Sequence, residues 1–261
     1  MSKKSVLFSV SLLVLFIAFY QLFNDTPAGD AEPIGLSAPT GLRWDWAGIV
    51  FVSFFGLFYW RLKRVEKHNL AGITLLAEGR YLEALEAFQK APRHVATIHN
   101  AGVAQLGLWR VAEAEASFAR ILAKPAFVVR SLRVHAAPFR ALALALLGRR
   151  SEAASQLAEC DTLQVGATWN AILARAVLAA RAGDWTEARE LLARPNLNEP
   201  GGRCRGLAEA LKLWAAEQLS GPGHSGNLDR VALFGESGPE VFQEIWPEFH
   251  RFLERHQPLE P

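Results

Sequence analysis

The stretch His68–Ala91, HNLAGITLLAEGRYLEALEAFQKA, decides how this chain folds. It reads as two antiparallel helices in close contact, joined by a tight turn. Gly72 and Ala84 are small enough to let the two backbones approach. Gly79 ends the first helix in a left-handed conformation that a residue without Cβ enters freely. Tyr81 and Phe88 fill the space beyond the crossing. One such hairpin cannot bury its own apolar face, so recurrence of the pattern is the next thing to establish.

It recurs three times. Ala96–Leu122 (ATIHNAGVAQLGLWRVAEAEASFARIL) places Gly102, Ala114 and Phe118 at an offset of 30 from Gly72, Ala84 and Phe88, with its turn displaced to Gly107. His135–Cys160 supplies Gly148, Ala153 and Leu157. Pro138 is expected in the first turn of its leading helix, where no hydrogen bond is lost. Trp169–Pro195 supplies Ala176, Gly183, Trp185, Ala188 and Leu192. Ala84, Ala114, Ala153 and Ala188 are 30, 39 and 35 residues apart, so Ala123–Arg133 is expected to hold an insertion or a longer turn.

These residues resemble the tetratricopeptide-repeat family across Glu66–Pro200, about half the chain. The resemblance implies an all-α right-handed superhelix whose concave face is lined by the first helix of each pair and grips a peptide or a partner helix. Carried onto this chain, that partner-binding groove contains Asn69, Ile73 and Leu76, then His99, Asn100, Val103 and Leu106, then Leu142, Leu146, Leu173 and Val177. The set is mostly apolar. Asn100 matches one position at which some members of the family hold a C-terminal carboxylate, but the accompanying basic residues are missing, which argues against such a clamp.

Beyond the repeats, residues 201–261 read as a helical cap. Leu207–Ser220 is helical by pattern, Gly221–Asn227 is a loop, and helical stretches come next near Leu228–Phe234 and Pro239–His256. Phe242, Ile245, Phe249 and Phe252 form a stripe at three- and four-residue intervals. That stripe suits a helix covering the end of the array, or one that docks a partner, and the chain's own last segment is also able to fill the groove.

Ahead of the repeats the chain reads as membrane-embedded. Ser5–Asn24 is a run of 20 uncharged residues after Lys3 and Lys4, about what a helix needs to cross ~30 Å of hydrocarbon. A cleaved signal peptide is the competing reading; the run is long for one and no small-x-small site follows. Trp46–Trp60 (WAGIVFVSFFGLFYW) is a shorter apolar run, bracketed by Trp44, Trp46, Tyr59 and Trp60 as an interfacial belt would be. Arg61, Lys63, Arg64 and Lys67 come after it, whereas the Pro/Gly-rich linker 24–45 carries Asp25, Asp30, Glu32 and Asp45 against Arg43. The positive-inside rule then sets both termini in the cytoplasm, with residues 1–23 and 46–64 spanning a bacterial inner membrane.

Composition narrows the function. Residues 68–261 hold 21 Lys/Arg and 21 Asp/Glu, so the body lacks the basic excess of a nucleic-acid binder. Cys160 and Cys204 have no close Cys or His neighbour in sequence, and read as free thiols. The glycine-rich loop Ser220–Asn227 lacks the Lys-Ser/Thr ending of a phosphate cradle. Gly223-His224-Ser225 and Gly235-Glu236-Ser237 begin like nucleophile elbows, but Asn227 and Pro239 stand where the closing glycine is required. No catalytic, cofactor or metal residue and no small-molecule substrate is therefore expected. The expected role is a membrane-anchored scaffold or assembly factor that binds a protein partner. The alternative is a structural subunit of a larger transport or envelope-building complex, with the hairpin making the specific contacts.

Overall fold

The computed structural model describes residues 53, 56, 57, 63, 66–91, 94–124, 126–198, 202–221, 229–234 and 238–256. The chain forms two compact units, Met1–Phe54 and Phe55–Pro261, and the helical array belongs to the second. The segment 5–24 and the linker lie outside the described residues, as does 46–60 apart from Ser53, Gly56 and Leu57. Among the described residues no helix is long and apolar enough to cross a membrane.

All regular structure among the described residues is helical. Residues 66–77 (α1) pair with Tyr81–Lys90 (α2), Val95–Gly107 (α3) with Val111–Leu122 (α4), Ala126–Leu146 (α5) with Arg150–Thr162 (α6), and Trp169–Ala182 (α7) with Trp185–Leu192 (α8). A 3-10 turn at Pro195–Asn198 leads to the long helix Gly202–Ser220 (α9). The chain ends in Arg230–Phe234 (α10), a 3-10 turn at Pro239–Phe242, and Pro247–Arg255 (α11).

The four hairpins repeat in backbone detail. Gly79, Trp109, Gly148 and Gly183 all take positive φ, at 75°, 57°, 72° and 77°. Each following residue donates its N–H to a carbonyl five residues back: Arg80 to Leu75, Arg110 to Gln105, Arg149 to Leu144 and Asp184 to Ala179. This is the Schellman closure of a helix end. The residue after each left-handed position has nearly the same conformation, with φ between −84° and −79° and ψ between 63° and 76°. Five residues past each left-handed position stands one of the expected alanines, and Ala84, Ala114, Ala153 and Ala188 are all 0 % exposed. The close approaches also recur. A Cβ on Gly72 would run into the Phe88 ring, and one on Gly102 would lie 2.9 Å from the Phe118 ring.

Three expectations are corrected. The second turn is not displaced to Gly107. Trp109 makes it, at the register set by Gly79, while Gly107 stays in α3, where the lack of a Cβ makes room for the Tyr81 ring. The extra residues around Ala123–Arg133 form no insertion loop: they lengthen α5, which starts 22 residues before Gly148, where α3 and α7 start 14 residues before their turns. Those eight residues add about two turns, ~12 Å of helix. Arg133 ties the extension down by donating to the Leu122 carbonyl at 2.9 Å and pairing with Glu159. Pro138 consequently lies inside α5 and not in its first turn, leaving the Val134 carbonyl without its usual N–H partner. Finally, Pro239–His256 is not one helix. Trp246 precedes Pro247 at φ −152° and ψ 80°, extended backbone that a following proline favours, so the helix restarts there. Phe242, Phe249 and Phe252 are nevertheless fully buried and Ile245 half-buried, so the stripe faces inward across the break.

The core is asymmetric. One large cluster runs from Leu106 through α4–α9 to Leu253, whereas Ala84, Leu85 and Phe88 join only Ala104 in a small separate cluster. Apolar burial sets local stability. Amides of α1 and α2 are therefore expected to exchange with solvent faster than those of α5 and α7. Uniform protection along the array, read by hydrogen exchange, would contradict this.

Candidate functional site

The leading helices α1, α3, α5 and α7 carry the expected groove at equivalent register positions. Ile73, Val103, Leu142 and Val177 stand at one such position and are progressively covered: Ile73 is 42 % exposed, Val103 is half-buried, and Leu142 and Val177 are 0 % exposed. Leu146 and Leu173 are likewise 0 % exposed. These four leucine and valine residues belong to the same core as Leu207 and Leu211 of α9 and Phe242 and Phe249 of the C-terminal segment. As a surface for another protein they are already taken by the chain itself. On α1 and α3 the expected positions divide: Ile73 is exposed, Asn69, Leu76, His99, Asn100 and Val103 are half-buried, and Leu106 is 1 % exposed within that core.

Helix α9 packs on α7, α8 and α10 and reaches back to α3. Its first residues meet Tyr81. The Arg203 backbone N–H bonds to the Tyr81 hydroxyl, and the Arg203 guanidinium lies 5.1 Å from the Tyr81 ring centroid. Tyr81 thus supplies from another helix the acceptor that an N-cap side chain normally gives. Beneath this contact a cleft of about 280 Å³ is lined by Leu76, Val103, Leu106, Phe139, Trp169 and Cys204, among others. Leu76, Val103 and Leu106 were expected groove residues. The sequence marks Tyr81 only as a packing aromatic and gives no sign of Arg203 and Cys204 here, because they arrive from far along the chain on the first turn of α9.

The polar residues of the expected groove are used internally. The Asn100 amide donates to the Asn69 side-chain oxygen at 2.9 Å, tying α3 to α1. His99 lies edge-on to Phe118 and Phe139, both at 5.7 Å between ring centroids, with Nδ1 3.3 Å from the Asn100 Oδ1. Burial holds the His99 pKa below the ordinary histidine value, opposed by that contact with Asn100. A folded pKa below the unfolded one means that the unfolded chain binds the proton more readily. Stability is then expected to fall as pH drops through about 6.5, where an unperturbed histidine titrates. Replacing His99 with Gln should flatten this part of the profile of denaturation midpoint against pH. An unchanged slope in His99→Gln would assign the effect elsewhere.

The remaining chemistry is spare. Burial pushes the thiols of both Cys160 and Cys204 up to about 12, so neither is a thiolate nucleophile at neutral pH. Both are free cysteines. Among the described residues no group of three His, Cys, Asp or Glu side chains is placed to hold a metal ion. Glu115, 8 % exposed, is held by Arg140 at 2.9 Å and Arg149 at 3.3 Å, which joins the second hairpin to the third. Compared with known proteins, the chain matches no family model, no curated protein and no solved structure.

Proposed function

We propose that the chain is a membrane-anchored helical-repeat scaffold of tetratricopeptide type, which holds an apolar peptide or helix of a protein partner in the open half of its groove. The observation that carries this reading is the graded exposure of Ile73, Val103, Leu142 and Val177. Equivalent positions on successive leading helices are apolar throughout. The later two are wholly buried in the chain's own core, while Ile73 and part of Val103 stay accessible. The anchor rests on the two apolar N-terminal runs and the charge asymmetry around them. Catalysis forms no part of the proposal.

The test uses the full-length protein extracted from membranes in detergent. It is expected to bring down a partner in stoichiometric amount, and Ile73→Glu is expected to abolish this without changing the circular dichroism spectrum. Ile73 suits the experiment because it is exposed, whereas Leu106, at 1 % exposure, would bring down the fold with it. Retention of the partner by the Ile73→Glu protein, or recovery of none by the wild type, sinks the groove reading. Release of the protein itself by an alkaline wash of the membranes sinks the anchor.

A further inference from the structure

The side of α1 turned away from α2, which borders the expected groove at Leu70, has a counterpart inside the array. Residues 67, 70, 71, 74, 77 and 78 are equivalent, at an offset of 30, to 97, 100, 101, 104, 107 and 108 of α3. On α3 this face receives the preceding hairpin: Ala104, with Ala101 and Leu108, packs on Leu85 and Phe88, and Gly107 takes the Tyr81 ring. On α1 the same face is Lys67, Leu70, Ala71, Thr74, Ala77 and Glu78, and all six are exposed, Leu70 at 55 %. From Asn69 to Ala77 the helix carries no charge at all. A helix apolar on both sides is normally covered on both, and soluble helical arrays end in a polar face.

Two coverings compete, and the charges separate them. A further helix stacked as α2 stacks on α3 would enclose Lys67, which stands where Thr97 is 4 % exposed, and Glu78, which stands where Leu108 is half-buried. Desolvating both charges opposes that seat. An anionic bilayer surface accommodates them. Leu70, Ala71 and Ala77 face the acyl boundary, Lys67 reaches lipid phosphate along its aliphatic stem, and Glu78 stays beside Arg80, its partner at 3.0 Å. The sequence just before α1 adds the complementary charge, with Arg61, Lys63, Arg64 and Lys67 against Glu66 alone in seven residues.

We propose that the outer face of α1 seats on an anionic lipid surface, so that the membrane takes the place of the preceding hairpin and the array lies against the bilayer by its first helix. This rests on the membrane-anchored reading. The test is photo-cross-linking of the full-length protein in vesicles of phosphatidylethanolamine and phosphatidylglycerol, with benzoylphenylalanine at position 70. The same probe at position 82 is the control, since Leu82 is 52 % exposed on α2 and its equivalents Ala112, Ser151 and Thr186 are all exposed. A phospholipid adduct at 70, absent at 82 and severalfold weaker in vesicles of phosphatidylcholine alone, is the expected result. If the protein stays with the vesicles after an alkaline wash but position 70 yields no lipid adduct, the seat is overturned and the anchor stands. A cross-link from 70 to a second copy or to another polypeptide likewise overturns it, in favour of a stacked helix. If the alkaline wash releases the protein, the anchor and the seat fall together.

Discussion

Replacing Trp109 with alanine is expected to lower the stability of the fold by about 3–5 kcal/mol, the range for truncating a buried tryptophan. The side chain is 3 % exposed, its indole N–H donates to the Leu233 carbonyl at 2.9 Å, and its ring lies 4.9 Å from that of Phe242. The substitution leaves a cavity and an unbonded buried carbonyl together. A second variant separates the ring from the backbone. Trp109 sits at φ 57°, where a residue with a Cβ is strained. Trp109→Gly removes the same ring but relaxes that strain, so it should be more stable than Trp109→Ala by about 1 kcal/mol. Urea denaturation of the three proteins gives the order directly. Equal stability of the Gly and Ala variants would mean that the left-handed turn is not formed.

The second large effect is expected at Trp214, where alanine should again cost about 3–5 kcal/mol. Its ring lies among Trp185 at 4.6 Å, Trp246 at 5.5 Å, and Phe249 and Phe252 each at 5.4 Å. Contacts of this kind each contribute ~0.5–1.5 kcal/mol beyond the area that they bury. Limited proteolysis should then cut within residues 239–256 well before it cuts α5 or α7. The two tryptophans are also connected, because Phe242 touches Trp109 and lies 5.1 Å from Phe249, which touches Trp214. The double variant should therefore lose less than the sum of the singles, by ~0.5–3 kcal/mol. Strict additivity would show that the ring chain does not transmit.

Arg181 explains why this segment binds where it does. Its guanidinium donates to the Leu146 carbonyl at the end of α5 and to the Ile245 carbonyl, and lies 4.5 Å from the Trp246 ring centroid. Burial lowers its pKa, with Glu248 a weaker opposing influence. A cation placed at a helix C-terminus interacts favourably with the exposed carbonyls there.

What could be read in advance divides along physical lines. The alanines at the helix crossings were legible because only a small residue fits a close approach, whatever lies elsewhere in the chain. Gly79, Gly148 and Gly183 were legible because left-handed backbone selects glycine. Trp109 was not, since its strain is offset by contacts with residues more than 120 positions away, and the nearby Gly107 offered itself in its place. The burial of the later groove positions was hidden for a related reason. Leu142, Leu146, Leu173 and Val177 are apolar at the right period, but periodicity tells only which face is covered. It does not say whether the cover is a partner or the same chain returning. The start of α9 at Gly202, ahead of the expected Leu207, was missed because its first turn is capped by Tyr81 and not by its own neighbours.

The hydrogen bond from Trp109 to Leu233 spans 124 positions of sequence. Linear helical arrays fold by nearest-neighbour terms, so they can nucleate anywhere and melt piecemeal. A bond of this span closes the second hairpin and the end of the chain into one loop, raising contact order and slowing the search for the native topology. The array from α3 to α11 is then expected to unfold as a closed ring, and losing its last segment would be felt first at the opposite end, in the turn between α3 and α4.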